Sequence, residues 1–182
     1  MSTVLSPAVT TWKIDPAHTN VEFSVRHLMI TTVRGRFADV SGTVTSDDAD
    51  PAKGSVDITI GTASIDTREA QRDAHLRSAD FFDVETFPAM TFRSTRIEPS
   101  KGDRFTLVGD LTIRGVSREV ALDVTSEGTA KDPWGGHRSG FSATTKIKRS
   151  DFGLTWNQLL EAGGVAVGDE IKITIDAELV KA

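Results

Sequence analysis

The sequence predicts an all-β fold, a single antiparallel barrel with one crossing helix, and three observations predict it. Apolar and polar residues alternate with period two along most of the chain, as in strands that bury one face. Clusters of Asp, Pro, Gly and Ser separate the alternating segments, and only one longer stretch has helical character. Finally, the strands are many and long. Eight or more such strands rarely remain one open sheet, and their similar lengths favour a barrel over a sandwich.

The alternating segments define the strands and their apolar faces. Six segments are clear, and their apolar positions are Val21, Phe23 and Val25; Val56, Ile58 and Ile60; Phe105, Leu107, Leu111 and Ile113; Val120, Leu122 and Val124; Phe141, Ala143 and Ile147; and Ile171, Ile173, Ile175 and Leu179. Shorter alternating runs lie near residues 11–15, 33–45 and 89–97. Together these segments predict eight or nine strands.

Helical character is confined to two places. The segment Asp66-Thr67-Arg68-Glu69 has the pattern of a capping box, which predicts a helix from Thr67 to about Ala79 with Asp66 as its N-cap. A second short helix is predicted from Asn157 to Ala162, ended by two glycines.

The composition narrows the class of protein. A chain of 182 residues fits one domain with a sizeable core. It has no cysteine, so disulfides and thiolate catalysis are excluded. The formal net charge is −5 and no basic run is present, which argues against nucleic acid or an anionic membrane as a partner.

The first residues predict neither export nor membrane insertion. Residues 1–9 contain no Lys or Arg and no sustained apolar core, unlike a secretory signal peptide. No apolar run approaches the ~18 residues typical of a transmembrane helix. We therefore expect a soluble, cytoplasmic protein with no transmembrane segment.

The polarity of the two strand faces predicts an apolar barrel interior. The second face is too charged for an outer-membrane barrel, and the chain has no Tyr for an aromatic girdle. About eight strands leave room either for packed side chains or for one small ligand. Both alternatives, a filled barrel and a ligand-holding barrel, remain open at this point.

Few polar residues are candidates for chemistry. His27 shares parity with Val21, Phe23 and Val25, so it is either a hydrogen-bonded core residue or a polar contact for a ligand's head. The cluster Arg72-Asp73-Ala74-His75 is either a network at a helix end or a site for a ligand's head group.

The remaining motifs indicate an aromatic cluster but no metal or catalytic site. Phe81 and Phe82 either plug one barrel end or form a lid over a cavity. The Asp-rich segment 47–50 lacks the Gly and Glu of a calcium loop, and no set of three or four zinc ligands occurs, so no metal site is predicted. No nucleophile elbow or phosphate-binding loop occurs, and no catalytic residue is predicted.

Several ordered motifs resemble one family. They are Trp12-Lys13-Ile14-Asp15-Pro16-Ala17-His18-Thr19 followed by Val21-Glu22-Phe23-Ser24-Val25-Arg26-His27, then Arg72-Asp73-Ala74-His75-Leu76-Arg77-Ser78-Ala79-Asp80-Phe81-Phe82-Asp83, Phe87-Pro88-Ala89-Met90-Thr91-Phe92, Gly109-Asp110-Leu111-Thr112-Ile113-Arg114-Gly115-Val116 and Arg149-Ser150-Asp151-Phe152-Gly153. In this order they resemble the YceI-like family of lipocalin-like, polyisoprenoid-binding proteins.

The resemblance implies an eight-stranded, lipocalin-like antiparallel barrel over residues 11–182, preceded by a disordered tail, 1–10. It further implies that the barrel holds a long isoprenoid, such as a quinone tail or a polyprenyl chain, for carriage, storage or stress protection. Homodimers are also implied. No cofactor is expected beyond this bound lipid. Many members resemble secreted proteins, whereas residues 1–9 do not have the pattern of a signal peptide.

The candidate ligand-binding residues lie on the apolar strand faces and near an opening of the barrel. The predicted wall residues are Val21, Phe23, Val25, Phe92, Phe105, Leu107, Ile113 and Phe141. His27, His75 and Phe82 are predicted near an opening. The alternative is an enzyme that acts on a lipid or quinone with His75 and Asp73 as acid–base groups. A third possibility is a filled barrel that serves as an interaction module.

Overall fold

The backbone, seen in a computed structural model, is described for residues 8–182, and strands are its main secondary structure. The strands are β1 (Val9–Ile14), β2 (Asn20–His27), β3 (Thr31–Phe37), β4 (Val40–Asp47), β5 (Ser55–Gly61), β6 (Ile65–Asp66), β7 (Ala89–Pro99), β8 (Arg104–Ile113), β9 (Val116–Lys131), β10 (His137–Lys148) and β11 (Glu170–Lys181). One α-helix, α1 (Ala70–Arg77), and short 3₁₀ turns connect them. Within residues 8–182, no helix is long and apolar enough to cross a membrane.

Eight strands close into an antiparallel barrel. Their order around the ring is β1, β4, β5, β7, β8, β9, β10 and β11, and β11 pairs back with β1. The remaining strands β2, β3 and β6 continue from β11 as an extension of the same sheet. The predicted antiparallel eight-stranded barrel with one helix is therefore confirmed, with three further strands added to it.

The additional strands arise because residues 9–47 form one long, interrupted hairpin. β1 pairs with β4 at its base, and β2 pairs with β3 towards its tip. Pro16, which has no backbone N–H, opens a 3₁₀ turn (Pro16–His18) between β1 and β2 and breaks the ladder. β11 pairs with both parts of the first arm, with β2 through Lys172–Asp176 and with β1 through Leu179–Lys181.

The start of α1 differs from the prediction. Glu69, not Asp66, is the N-cap, and its carboxylate accepts hydrogen bonds from the backbone N–H groups of Gln71 and Arg72. Asp66 instead belongs to β6 and accepts a hydrogen bond from the Arg68 N–H. Arg68 has a left-handed backbone, with φ of 66°, which interrupts any helix that begins at Thr67.

The predicted second helix, Asn157–Ala162, does not form. Leu159 instead makes an isolated bridge with Val165. The Asn157 amide group bonds both the N–H and the carbonyl of Val167, so its side chain stabilises a folded-back loop.

The described chain extends slightly beyond the predicted domain boundary. β1 begins at Val9, so it includes two residues that the prediction assigned to the N-terminal tail. Residues 1–7 lie outside the described residues. The expectations of a tail, a missing signal peptide and a cytoplasmic location therefore stay predictions.

The connections divide the barrel into two ends. The loop end contains the β4–β5, β7–β8 and β9–β10 connections. The helix end contains the β2–β3 tip, α1, the β8–β9 turn and the long β10–β11 connection, residues 149–169. Side chains of alternating parity point into the space between these ends and form one continuous apolar cluster.

Candidate functional site

The barrel encloses an elongated cavity of about 830 Å³ that reaches both the loop end and the helix end. This volume lies within the ~300–1,000 Å³ typical of small-molecule sites. Its lining is predominantly aliphatic and aromatic along the strands. The barrel is therefore not filled by its own side chains, so a filled interaction module does not describe it.

All eight predicted wall residues line this cavity: Val21, Phe23, Val25, Phe92, Phe105, Leu107, Ile113 and Phe141. Phe82, predicted near an opening, also lines it. These residues come from β2, β7, β8 and β10 and from the segment after α1. The period-two pattern identified them because inward and outward positions alternate along each regular stretch of strand, although the register shifts once in β7 and once in β10. Their contact with a ligand stays a prediction.

His27 and His75 lie outside the cavity lining. His27 is exposed at the end of β2, where the hairpin has passed beyond the barrel wall, and it bridges Val167. The alternation along β2 predicted an inward side chain for His27. Such alternation separates inward from outward positions only where a strand forms part of the barrel wall. His75 packs edge-on against Phe81 and Trp156, with ring centroids 5.1 and 4.7 Å away.

Asp73 and His75 do not form an acid–base pair. The buried Asp73 carboxylate accepts hydrogen bonds from the Thr67 N–H and hydroxyl, at 2.9 and 2.5 Å. His75 Nε2 lies 2.8 Å from the Asp80 carboxylate. Because the two side chains have separate partners, the cluster is a network at the ends of α1. Within residues 8–182, Asp73 and His75 therefore do not form a catalytic dyad.

Aromatic side chains close the helix end. Phe81, which is 6% exposed, lines the cavity and contacts Trp156 at a centroid distance of 5.5 Å. Phe82 packs edge-on against Phe37 at 5.7 Å, and Phe37 contacts Phe23 at 5.6 Å. These contacts form a plug that joins the segment after α1 to the strand wall.

Arg149 is a cavity residue that the sequence pattern did not identify. It is 6% exposed and lines the helix end of the cavity. Its guanidinium donates to the carbonyls of Leu154, Trp156, Val167 and Gly168, at 2.7 to 3.2 Å. Burial lowers the pKa of Arg149. It fastens the β10–β11 connection across this end, and its only sequence signal was the motif of residues 149–153.

The loop end is polar. Asp48, Ser100, Asp103 and Arg104 are exposed there and border the cavity. The Asp47 carboxylate accepts hydrogen bonds from the N–H groups of Ala49 and Asp50, at 2.9 and 3.2 Å. The Asp-rich segment 47–50 is therefore a hydrogen-bonded turn at the border of the cavity.

One cluster has a composition that could suit a metal. Ligand atoms of Asp15, His18 and Glu178 lie within 4.8 Å of one another. Arg138, however, donates to the Asp15 and Glu178 carboxylates at 2.7 and 2.6 Å and occupies the oxygens that a cation would need. Hydrogen bonds from His18 and Arg138 lower the pKa of Asp15 to about 2. The cluster therefore acts as an ion-pair network that joins the 3₁₀ turn to β10 and β11.

The chain matches a known protein family over most of its length. Residues 12–179 match the YceI-like domain. The chain belongs to the YceI-like family. The YceI protein of Salmonella newport is 44% identical over 146 residues, which cover 79% of this chain and 76% of that protein. A protein of Serratia proteamaculans is 45% identical over the same length and coverage.

Solved structures of YceI-like and related proteins have the same fold. BcnA of Burkholderia cenocepacia has a TM-score of 0.79 at 28% identity and covers 91% of this chain and 98% of its own. The YceI protein of Campylobacter jejuni has a TM-score of 0.71 at 37% identity, over 84% and 87%. A polyisoprenoid-binding domain of Saccharophagus degradans has a TM-score of 0.68 at 15% identity, over 95% and 99%. That last likeness shows the fold alone.

Proposed function

We propose that this protein binds a long apolar isoprenoid-type lipid, such as a quinone tail or a polyprenyl chain, inside the barrel. Its role would be the carriage or storage of that lipid, or protection against stress. The observation that carries the proposal is the apolar cavity of about 830 Å³ enclosed by the barrel wall. The family, and the polyisoprenoid-binding domain of Saccharophagus degradans that shares the fold, support it.

The wall explains how such a lipid would be held. Phe92, Phe105, Leu107 and Phe141 present aliphatic and aromatic surface to the cavity. A prenyl chain also presents only apolar surface, and association removes both surfaces from water. Binding of this kind needs no catalytic group, so we propose a binding protein and not an enzyme. No cofactor beyond the bound lipid is part of the proposal.

The direct test is mass spectrometry of an organic extract from freshly purified protein. We expect about one apolar lipid with a prenyl chain per barrel. The matched control is the Leu107→Asp variant, purified in the same way and shown to be folded, which should be depleted of that lipid. An extract with no stoichiometric lipid, from a protein that also fails to take up added prenyl alcohols, would contradict the proposal.

A further inference from the structure

The β2–β3 hairpin ends in exposed apolar residues at the helix end. Leu28, Met29 and Ile30 are 38%, 60% and 73% exposed, and Leu159, from the β10–β11 connection, is 82% exposed. The two segments are in contact. The Leu28 N–H donates to the Ala166 carbonyl at 2.9 Å, and the Met29 side chain packs so closely against Gly164 that a Cβ at position 164 would overlap it. We call these four side chains the apolar tip.

The backbone of the apolar tip is unfavourable for its residues. Leu28 and Met29 have φ of 50° and 63°, in the left-handed region. They are the central residues of a turn closed by a hydrogen bond from the Ile30 N–H to the His27 carbonyl, at 3.1 Å. Asn-Gly is the favoured pair in a hairpin turn with two positive φ angles. Neither folding stability nor solubility explains Leu-Met here, which suggests that the tip has a binding role.

The strands beside the apolar tip carry positive charge. Residues 24–36 contain three Arg and no Asp or Glu, although the whole chain has a net charge of −5. No basic run marks this feature in the linear sequence. The register pairs Arg26 with Thr32 and Arg34 with Ser24, so the two arginines are diagonal neighbours on one face of the hairpin. Arg36 lies 3.9 Å from the Asp66 carboxylate, whereas within residues 8–182 neither Arg26 nor Arg34 has a carboxylate within 4 Å. An external anion can therefore pair with these two arginines.

We propose that the apolar tip inserts into the surface of an anionic lipid bilayer. Its four side chains enter the boundary between headgroups and acyl chains, and Arg26 and Arg34 contact lipid phosphates. A protein partner fits less well, because a typical interface uses about 20–30 residues a side and this surface offers four apolar ones. A bilayer needs no complementary shape.

Docking in this orientation places the helix end against the lipid and the polar loop end in water. Val25 and Val167, which both line the cavity, lie next to the apolar tip, because His27 follows Val25 on the same strand and bridges Val167. The cavity wall thus comes close to the bilayer. The proposal rests on the exposure, backbone and charge of the tip, and it stands or falls separately from lipid binding inside the barrel.

The test is sedimentation with vesicles of equal parts phosphatidylglycerol and phosphatidylcholine, compared with phosphatidylcholine alone. We expect the wild type to partition at least tenfold more strongly onto the anionic vesicles. The double variant Leu28→Asn/Met29→Gly should lose at least tenfold of this partitioning and melt no lower than the wild type, since Asn-Gly suits the turn. Ile30→Ser, which leaves both turn residues unchanged, should also lose most of it.

The matched control is Trp134→Ser, because Trp134 is the most exposed large apolar side chain of the loop end, at 86%. This variant should sediment like the wild type. Arg34→Gln should weaken binding severalfold on anionic vesicles only. Wild-type binding by both tip variants, loss of binding in Trp134→Ser, or no wild-type binding to anionic vesicles would each overturn the proposal. So would a wild-type dimer that the tip variants dissociate, because the partner would then be a second copy.

Discussion

The length of the cavity sets how binding should depend on the length of a prenyl chain. β8 has 10 residues, which span roughly 33 Å and project to roughly 25 Å along a barrel axis at a tilt of about 40°. An isoprene unit has four main-chain bonds and extends roughly 5 Å at about 1.2 Å per bond. The barrel therefore covers about five units. We expect affinity to rise up to this length and then to level off.

The expected rise per unit follows from the apolar wall. Burial of one CH₂ contributes at most about 0.8 kcal/mol. Drug-sized ligands achieve only about 0.3 kcal/mol per non-hydrogen atom once ordering costs are included. Five carbons then give about 1.5 kcal/mol per isoprene unit, or roughly tenfold in Kd. Competition of prenyl alcohols of two to eight units against a fluorescent prenyl probe measures this slope.

A charge on the wall should abolish binding. Leu107 is 8% exposed and sits between Ile97 and Leu122 on neighbouring strands. A carboxylate there would be unpaired and buried, which costs several kcal/mol. Ala121→Asp, on the exposed outer face, is the control and should bind normally. Circular dichroism must show that Leu107→Asp is folded. If it is not, Ala143→Phe, which fills the cavity without a charge, replaces it.

Two results would refute this reasoning. One is an affinity that does not change between short and long prenyl alcohols. The other is normal binding by a folded Leu107→Asp variant or by Ala143→Phe. Either result would mean that the chain does not lie in the barrel.

Three further predictions concern Asp15, two glycines and metal, and a fourth concerns the oligomeric state. The pKa of Asp15 is lowered to about 2 in the folded protein. Its ionised carboxylate therefore stabilises the fold fully above the unfolded-state pKa of about 3.9, and this stabilisation is lost as the pH falls through 2. Asp15→Asn should therefore lower the free energy of unfolding by about 1–2 kcal/mol at neutral pH and flatten the decline of that free energy between pH 4 and 2. Denaturant titrations measure both effects, and the control Asp57→Asn should follow the wild type in them. Gly109→Ala should lower the free energy of unfolding by about 1–3 kcal/mol, because a Cβ would overlap the Arg93 carbonyl oxygen. Gly140→Ala should be nearly neutral, because the atom nearest to its Cβ would lie 3.6 Å away. Unchanged melting of both variants would contradict this steric account. A chelator should change neither the melting temperature nor the lipid content, because Arg138 occupies the Asp15 and Glu178 carboxylates; stoichiometric metal in dialysed protein would count against it. Light scattering at micromolar concentration should give the mass of a homodimer, the commonest closed assembly, and a monomer mass would disprove that expectation.

The wall of the cavity followed from the sequence because it depends on local geometry. Inward and outward positions alternate along any strand, so Phe105, Leu107 and Ile113 shared a face before their neighbours were known. Charge on the opposite face then oriented that apolar face inward. The single helix was predicted for a similar local reason, although its start moved from Thr67 to Ala70.

Sequence reasoning failed where the outcome depends on residues distant in the chain. His27 has inward parity, but the hairpin that carries it extends beyond the wall. Arg149 became a cavity residue because four carbonyls of a folded-back connection surround its guanidinium.

By itself, the sequence of this protein determined which residues form strands and which of their faces is apolar, because the period-two pattern belongs to each strand alone. Only the tertiary structure decided how the strands close, that an open cavity remains between them, and that Asp15, Arg138 and Glu178 meet. It also brought Leu159 beside the hairpin tip. Each of these features depends on strand register and loop path, which join residues far apart in the chain and leave no local periodicity to detect.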